Sequence, residues 1–84
     1  SISSDLSIYD PHLIVIKEGA MVGMKCIMVP HYIVKGKLVL NEIVLGRNSL
    51  LGAGSEVAPG TVIGDDVIGE ARVTFFPKAF VPSG

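Results

Sequence analysis

Four aliphatic residues recur at intervals of six in the middle of the chain, and this interval constrains the fold more than any other feature. They are Leu45, Leu51, Val57 and Ile63. A glycine or alanine follows each of them, and four places after them stand Ser49, Ser55, Thr61 and Val67. An amphipathic helix repeats about every 3.6 residues and a half-buried strand alternates, so a period of six belongs to neither element alone. The period indicates a larger unit that repeats along the chain.

The larger unit that fits this period is one side of a solenoid. Each aliphatic side chain would end a short strand and point inward, and the small residue after it would let the backbone turn a corner. Three such sides make a triangular coil of about 18 residues, and parallel coils stack around a continuous apolar interior. The sequence therefore predicts an all-β fold of about four coils. Val44 and Val62, eighteen residues apart, are then expected to lie above one another on one face.

The order of residue types within each six resembles a known repeat. An aliphatic residue, a glycine or alanine, two variable positions, a small residue and one more variable position resemble the hexapeptide repeat of left-handed parallel β-helix proteins, most of which are acyltransferases. The resemblance covers roughly residues 16–77 and implies a single-stranded left-handed parallel β-helix. It alone supplies the hand, because ordinary parallel crossovers are right-handed. We expect residues 1–84 to be one such domain, a fragment of a longer chain.

The six-residue frame is interrupted after Met28, where Pro30 and His31 stand. Either the frame resumes through Ile33 and Val39 to Leu45, or the chain makes an excursion near residues 35–37. The first alternative puts Lys37 in a buried corner, which favours the excursion. Interruptions of a solenoid emerge as loops on one face, and functional groups concentrate on such loops.

The two ends of the repeat are less regular. A first coil is expected to start within residues 1–9, where Ile2, Leu6 and Ile8 are interspersed with polar residues. A second slip is expected within residues 65–69, with the frame resuming at Ile68. Phe75, Phe76 and Phe80 are then expected to close the end of the stack as an aromatic plug.

The composition narrows the class of protein. Hydrophobic residues make up 49% of the chain and charged residues 18%, which excludes a disordered chain. The unbroken aliphatic runs are too short to span a bilayer. A formal net charge of -1 with interspersed signs disfavours nucleic acid and membrane surfaces as partners. The single cysteine, Cys26, is expected to be a buried space-filler, and a cytoplasmic location is expected.

The residue before each inward aliphatic should point out of the coil, because neighbouring strand residues alternate faces. Those positions hold Val15, Met21, Ile27, Leu38, Val44, Leu50, Glu56 and Val62. Only Glu56 is charged. An apolar outer face of this extent is typical of a surface that meets a partner, and identical chains usually assemble with closed symmetry. Together with the family resemblance, this row predicts a homotrimer.

His31 is the candidate catalytic residue. Its place at the interruption of the repeat predicts an imidazole on the outer surface, near the edge of a face, where an adjacent subunit can form the other wall of a cleft. Acyl transfer from a thioester needs a base for the acceptor's proton, and an imidazole suits that role. The family resemblance implies the same role, since hexapeptide acyltransferases use one surface histidine as the base. His12 is expected to be a turn residue that a trimer could bring near another chain's His31.

The resemblance also implies a binding site for coenzyme A, with acetyl-CoA or another acyl-CoA as co-substrate. In the family the pantetheine arm runs between subunits past backbone amides of the late coils, which corresponds to Gly52, Ala53 and Ala71 here. The family often ends its last full coil with valine, threonine and lysine. Val73 and Thr74 match, Phe75 replaces the lysine, and Lys78 or Arg72 is the substitute for phosphate contact.

Two alternatives to an acyltransferase remain at this stage. The chain can be a non-catalytic solenoid that trimerises or regulates a larger protein, because a fold does not imply a function. A zinc protein similar to γ-class carbonic anhydrases, which use three histidines, is the other. This sequence has only His12 and His31, so Cys26 or a carboxylate would have to complete the ligand set. No metal is expected in the acyltransferase reading.

Overall fold

The computed structural model describes residues 7–8 and 11–84. Within these residues the chain consists of short strands and one 3-10 turn, Pro11–Leu13, so the predicted all-β fold is confirmed. The strands are β1 (Ser7–Ile8), β2 (Ile14–Ile16), β3 (Met21–Val22), β4 (Ile27–Met28), β5 (His31–Val34), β6 (Lys37–Leu40), β7 (Ile43–Leu45), β8 (Leu50–Leu51), β9 (Glu56–Val57), β10 (Val62–Ile63), β11 (Thr74–Phe75) and β12 (Phe80–Val81). None of the helical turns in this part of the chain is long and apolar enough to cross a bilayer.

Three parallel sheets contain ten of these strands, and the chain visits the sheets in rotation. Sheet 1 has the order β1-β4-β9-β11, sheet 2 the order β12-β10-β7-β2, and sheet 3 pairs β3 with β8. One visit to each sheet makes one coil. Val44 pairs with Val62 and Val62 pairs with Phe80, so the expected stacking of residues eighteen apart is confirmed. Of the predicted first strand within residues 1–9, only Ser7–Ile8 lies among the described residues.

The interior is lined by the aliphatic residues of the six-residue repeat. Leu45, Leu51, Val57 and Ile63 are all buried, as predicted, and Ile43 and Met28 join them in the core. Cys26 is buried as expected, and its thiol donates to the Gly52 carbonyl at 3.2 Å. Because every coil adds one such layer, the core grows along the stack rather than around a centre.

Buried hydroxyl groups hold the corners between strands. Ser49, Ser55 and Thr61 are buried in the slot that the sequence predicted for small residues. The Ser49 hydroxyl donates to the Gly64 carbonyl at 2.6 Å and accepts from the Val67 amide at 2.9 Å. These bonds join one coil to the next and satisfy backbone groups that the corner removes from the sheets.

The corners between strands of the coils also contain residues in the left-handed region, three places after the inward position. These residues are Gly19, Lys25, Asn48, Gly54, Gly60, Asp66, Arg72 and Lys78, with φ between 56° and 81°. Glycine and, to a lesser extent, asparagine and aspartate tolerate this conformation, so five of the eight carry a local sequence signal for it. Lys25, Arg72 and Lys78 adopt it without such a signal.

The interruption after Met28 is a β-hairpin that leaves the coil at Pro30 and returns at Asn41. Strands β5 and β6 pair antiparallel, and both loop residues, Lys35 (φ 50°) and Gly36 (φ 76°), have the positive φ that a type I′ turn requires. The Asn41 amide donates to the Pro30 carbonyl at 2.8 Å and closes the base. The predicted excursion is therefore confirmed. The alternative that returns Ile33 to the interior is wrong, because Ile33 is 72% exposed.

The expected slip within residues 65–69 is wrong. Ile68 forms a bridge with Leu50, eighteen residues earlier, and is exposed. Gly69 occupies the inward position. Because glycine has no side chain, the aliphatic pattern in the sequence assigns this position to the preceding residue, Ile68, instead. The frame continues by sixes to Phe75 and Val81, which pack against the core. The predicted aromatic plug is wrong for Phe76 and Phe80, which point into solvent.

Candidate functional site

A groove of about 320 Å³ lies on the outer surface of sheet 1, where the hairpin leaves the coil. We call it the histidine groove. Its lining comes from three coils and from the first residues of the hairpin: Ile27, Val29, His31, Tyr32, Glu56, Val57, Ala58, Pro59, Thr74, Phe75, Phe76 and Pro77. The groove thus combines strand residues of sheet 1 with the corner that follows that sheet.

His31 stands at the base of the hairpin as the first residue of β5. Pro30 before it is buried, and the Val29 amide donates to the Val57 carbonyl at 3.0 Å. These contacts fix the point at which the chain leaves the coil. The His31 side chain is half-buried at the wall of the groove, as the interruption of the repeat predicted for a surface position near the edge of a face.

The floor of the groove includes the outward-facing residues of sheet 1. Ile27 pairs with Glu56, and Glu56 pairs with Thr74, so the three residues form one row across three coils. Glu56 and Thr74 are exposed. Among the described residues that line the groove, Glu56 is the one carboxylate and His31 the one basic side chain. Polar chemistry in the groove is therefore concentrated on His31, Glu56 and the hydroxyls of Thr74 and Tyr32.

The remaining walls of the groove are apolar. Aromatic rings come from Tyr32, Phe75 and Phe76, and the corners contribute Pro59 and Pro77. Phe76 is well exposed, so its ring presents a large apolar surface at the groove. A concave surface with mostly apolar walls and a few polar groups is the usual form of a site for a small molecule.

A second depression, of about 300 Å³, lies at the corner that precedes sheet 1. We call it the corner depression. Its lining is Met24, Lys25, Ala53, Gly54, Ala71 and Arg72. The Arg72 amide donates to the Ala53 carbonyl at 2.8 Å, which stacks two coils directly above each other. Lys25 and Arg72 bring two cationic side chains to this depression.

The structure divides the residues that the sequence proposed for one site. His31 and Thr74 line the histidine groove, whereas Ala53 and Ala71 line the corner depression. Gly52 is buried at the same corner, below that depression. Lys78 is exposed in the turn after Pro77, where its amide donates to the Pro59 carbonyl at 3.0 Å, and it lines neither cavity. His12, in the 3-10 turn, also lines neither.

Comparison of the chain with protein-family models, with curated proteins and with solved structures finds no match. Over residues 7–8 and 11–84, no group of three histidine, cysteine or acidic side chains is placed to hold a metal ion. The zinc hypothesis therefore has no ligand set in this part of the chain, and the geometry of the histidine groove is the basis for a functional argument.

Sequence reasoning did not select three of the groove's residues: Glu56, Tyr32 and Phe76. For Glu56 a signal was present, because it is the one charged residue in an otherwise apolar outward row. A single charged residue in an apolar row indicates that this part of the surface is not covered by an apolar partner alone. For Tyr32 and Phe76 no local signal exists, because their positions depend on how the hairpin and the last coil lie against sheet 1.

Proposed function

We propose that this chain is a left-handed parallel β-helix of the hexapeptide-repeat kind and that it transfers an acyl group from coenzyme A to a hydroxyl or amine. The rotation through three parallel sheets and the eighteen-residue register support the fold. The observation that carries the function is the placement of His31 in a groove that also holds Thr74 and Glu56. The family resemblance contributes the acyl donor, acetyl-CoA or another acyl-CoA.

In this proposal His31 is the general base. Its imidazole accepts the proton of the acceptor hydroxyl or amine as the oxygen or nitrogen attacks the thioester carbonyl. The tetrahedral intermediate then collapses, the carbon–sulfur bond breaks, and the departing thiolate takes the proton from the imidazolium. Both substrates are held side by side, so no covalent intermediate on the protein is needed, and rigid positioning by the coil stack supplies much of the rate.

The positions proposed for coenzyme A support an assembly of several copies. The corner depression, with Ala53 and Ala71, precedes sheet 1, and the histidine groove adjoins the corner after it. Within one chain, the two cavities therefore lie at opposite ends of the sheet 1 strands. We propose that a homotrimer brings the histidine groove of one copy to the corner depression of the next. Of the two residues that the sequence suggested for phosphate contact, Lys78 and Arg72, only Arg72 lines the corner depression, and Lys25 is the second cation that can take this role there.

The test is acetyl-CoA binding by calorimetry, together with the release of free thiol in the presence of acceptors. His31→Asn is expected to lower the turnover rate by about 10²–10⁴-fold while the affinity for acetyl-CoA stays the same, because general-base catalysis contributes about this factor. Lys37→Ala, at the far end of the hairpin and outside the groove, is the matched control and should retain full activity. Full activity in His31→Asn would contradict the assignment of the base.

A second candidate function is a non-catalytic module that trimerises or regulates a larger protein. The observation in its favour is the apolar outer surface of the hairpin, where Ile33, Leu38 and Leu40 are exposed. An isolated two-stranded hairpin is marginally stable in water, so a covered hairpin is the expected state. A well-folded trimer that does not bind acetyl-CoA would favour this candidate. In either case, the single free thiol, Cys26, supports a cytoplasmic location.

A further inference from the structure

The histidine groove has a charge and a shape that restrict what can occupy it. The floor presents the Glu56 carboxylate between Ile27 and Thr74, and the walls present the aromatic rings and prolines. Among residues 7–8 and 11–84, the lining of the groove contains no lysine or arginine that would neutralise this carboxylate. A ligand that covers Glu56 with apolar atoms alone would remove a carboxylate from water without a partner, which is costly. An acyl chain is therefore a poor occupant of the floor.

A ligand with a cationic nitrogen and a flat apolar body satisfies both features. The nitrogen can donate charge-assisted hydrogen bonds to Glu56, which are stronger than those between neutral groups. The body can lie against the apolar walls, and a cation near the rings of Tyr32, Phe75 or Phe76 gains a further attraction. A polyhydroxylated sugar would find few partners here, because the groove offers few hydrogen-bonding side chains.

We propose that the acceptor in the histidine groove is an amine on an aromatic or similarly flat apolar body, with its nitrogen held by Glu56. This inference rests on the proposed acyl transfer. The groove volume of about 320 Å³ lies at the lower end of the range for small-molecule sites, about 300–1,000 Å³, so the occupant is small. An arylalkylamine has this size and this distribution of charge.

The proton balance of the transfer follows from this acceptor. The amine binds as an ammonium ion and releases one proton to solvent, so that its nitrogen lone pair becomes available. The neutral nitrogen, still donating a hydrogen bond to Glu56, attacks the thioester carbonyl. Its second proton passes to His31 and from there to the departing thiolate as the carbon–sulfur bond breaks. The products are an amide and free coenzyme A, and Glu56 acts as a specificity-determining residue rather than as the base.

Binding of three matched probes tests the inference without acyl transfer. Phenethylamine, 2-phenylethanol and 3-phenylpropionate share the ring and differ in charge. The folded chain is expected to bind the amine about tenfold more tightly than the alcohol, with no detectable binding of the acid. Glu56→Gln should reduce amine affinity about tenfold and leave the alcohol unchanged, since a bond to a charged group is lost. The preference should also shrink as salt is raised.

The matched control is Glu42→Gln, which removes the same charge from an exposed glutamate outside the groove. It should leave the affinity of the amine unchanged. Equal binding of amine and alcohol, or an equal loss in Glu42→Gln and Glu56→Gln, would overturn the inference. A chain that shows the amine preference but no binding of acetyl-CoA would refute the proposed acyl transfer and keep the amine site. Acyl transfer to hydroxyls but not to amines would refute the amine site and keep the proposed acyl transfer.

Discussion

The stacked coils, which we call the coil body, and the hairpin of residues 31–40 differ in strand length and in the burial of their side chains. In the body, the strands are two or three residues long, and the inward side chains of the middle coils, such as Leu45 and Leu51, are buried by the coils above and below them. In the hairpin, the strands are four residues long, and large aliphatic side chains such as Ile33 and Leu38 remain exposed. The comparison teaches that stability belongs to the periodic part, whereas the histidine is supplied by the part that breaks the period.

The spacing between coils shows how separate the two regions are. Val15 pairs with Val44, twenty-nine residues later, whereas Val44 pairs with Val62 after eighteen. The difference, 29 minus 18, is eleven residues, which are the ten residues of the hairpin, 31–40, and Asn41 at its base. The body therefore resumes in register after the hairpin as if it were absent. Loops can vary in this way because closing a longer loop costs little additional entropy.

The largest expected effect comes from two leucines that sit in the two regions. Leu51 is 1% exposed in the body and Leu38 is 61% exposed in the hairpin. Leu51→Ala is expected to lower the free energy of unfolding by about 2–5 kcal/mol, because it leaves a cavity in the stack. Leu38→Ala should change it by no more than about 0.5 kcal/mol. Chemical denaturation of both variants measures the difference.

The same pair of variants also sharpens the proposal of a trimer. If the hairpin covers a neighbouring copy, Leu38→Ala should lower the oligomeric state at a given protein concentration without unfolding the single chain. Sedimentation of the variant at several concentrations measures this. Equal losses of unfolding free energy in the two variants in a monomeric chain would contradict the separation of body and hairpin.

A smaller effect is expected at two glycines. A Cβ on Gly52 would collide with the backbone carbonyl of Glu70 in the next coil, so Gly52→Ala should destabilise the body by about 1–3 kcal/mol. Gly36, in the hairpin turn, has open space around it, and Gly36→Ala should cost only about 1 kcal/mol for its positive φ. Thermal unfolding followed by circular dichroism gives both values. A larger loss at Gly36 than at Gly52 would reverse the comparison.

Removing the whole hairpin is also expected to have only a small effect on stability. Deletion of residues 31–41 joins Pro30 to Glu42 and restores an eighteen-residue spacing between the paired residues of β2 and β7. We expect the free energy of unfolding to change by about 1 kcal/mol or less, since only a loop closure is altered. The deletion should abolish acyl transfer, because it removes His31. A chain that fails to fold after this deletion would show that the hairpin supports the body.

The site residues that the sequence identified also divide between the periodic coils and the interruption of the repeat. His31 was selected because it stands at the interruption of the repeat, and Thr74 because it matches the family's last coil; both line the histidine groove. Gly52, Ala53 and Ala71 were selected together and lie together at one corner, away from His31. Lys78 and Arg72 were the two candidates to replace the family's lysine, and Lys78 lies outside both cavities whereas Arg72 lines the corner depression. A site is formed by neighbours in space, and the repeat specifies neighbours only along the stack.

The sequence by itself determined the interior of this protein. Each six-residue side of a coil needs an inward aliphatic residue, a small residue at the turn and a hydroxyl under the corner. The pattern from Leu45 to Ile63 could therefore be recognised in the sequence alone. It misled at Gly69, where the inward position has no side chain, and at the end of the stack, where Phe76 and Phe80 are exposed instead of closing the interior. Tertiary structure alone decided that His31 and Tyr32, at the base of the hairpin, share one groove with Glu56 and Phe76. The reason is that these residues come from the hairpin, from sheet 1 and from the corner after that sheet, and only the stacking of the coils brings them together.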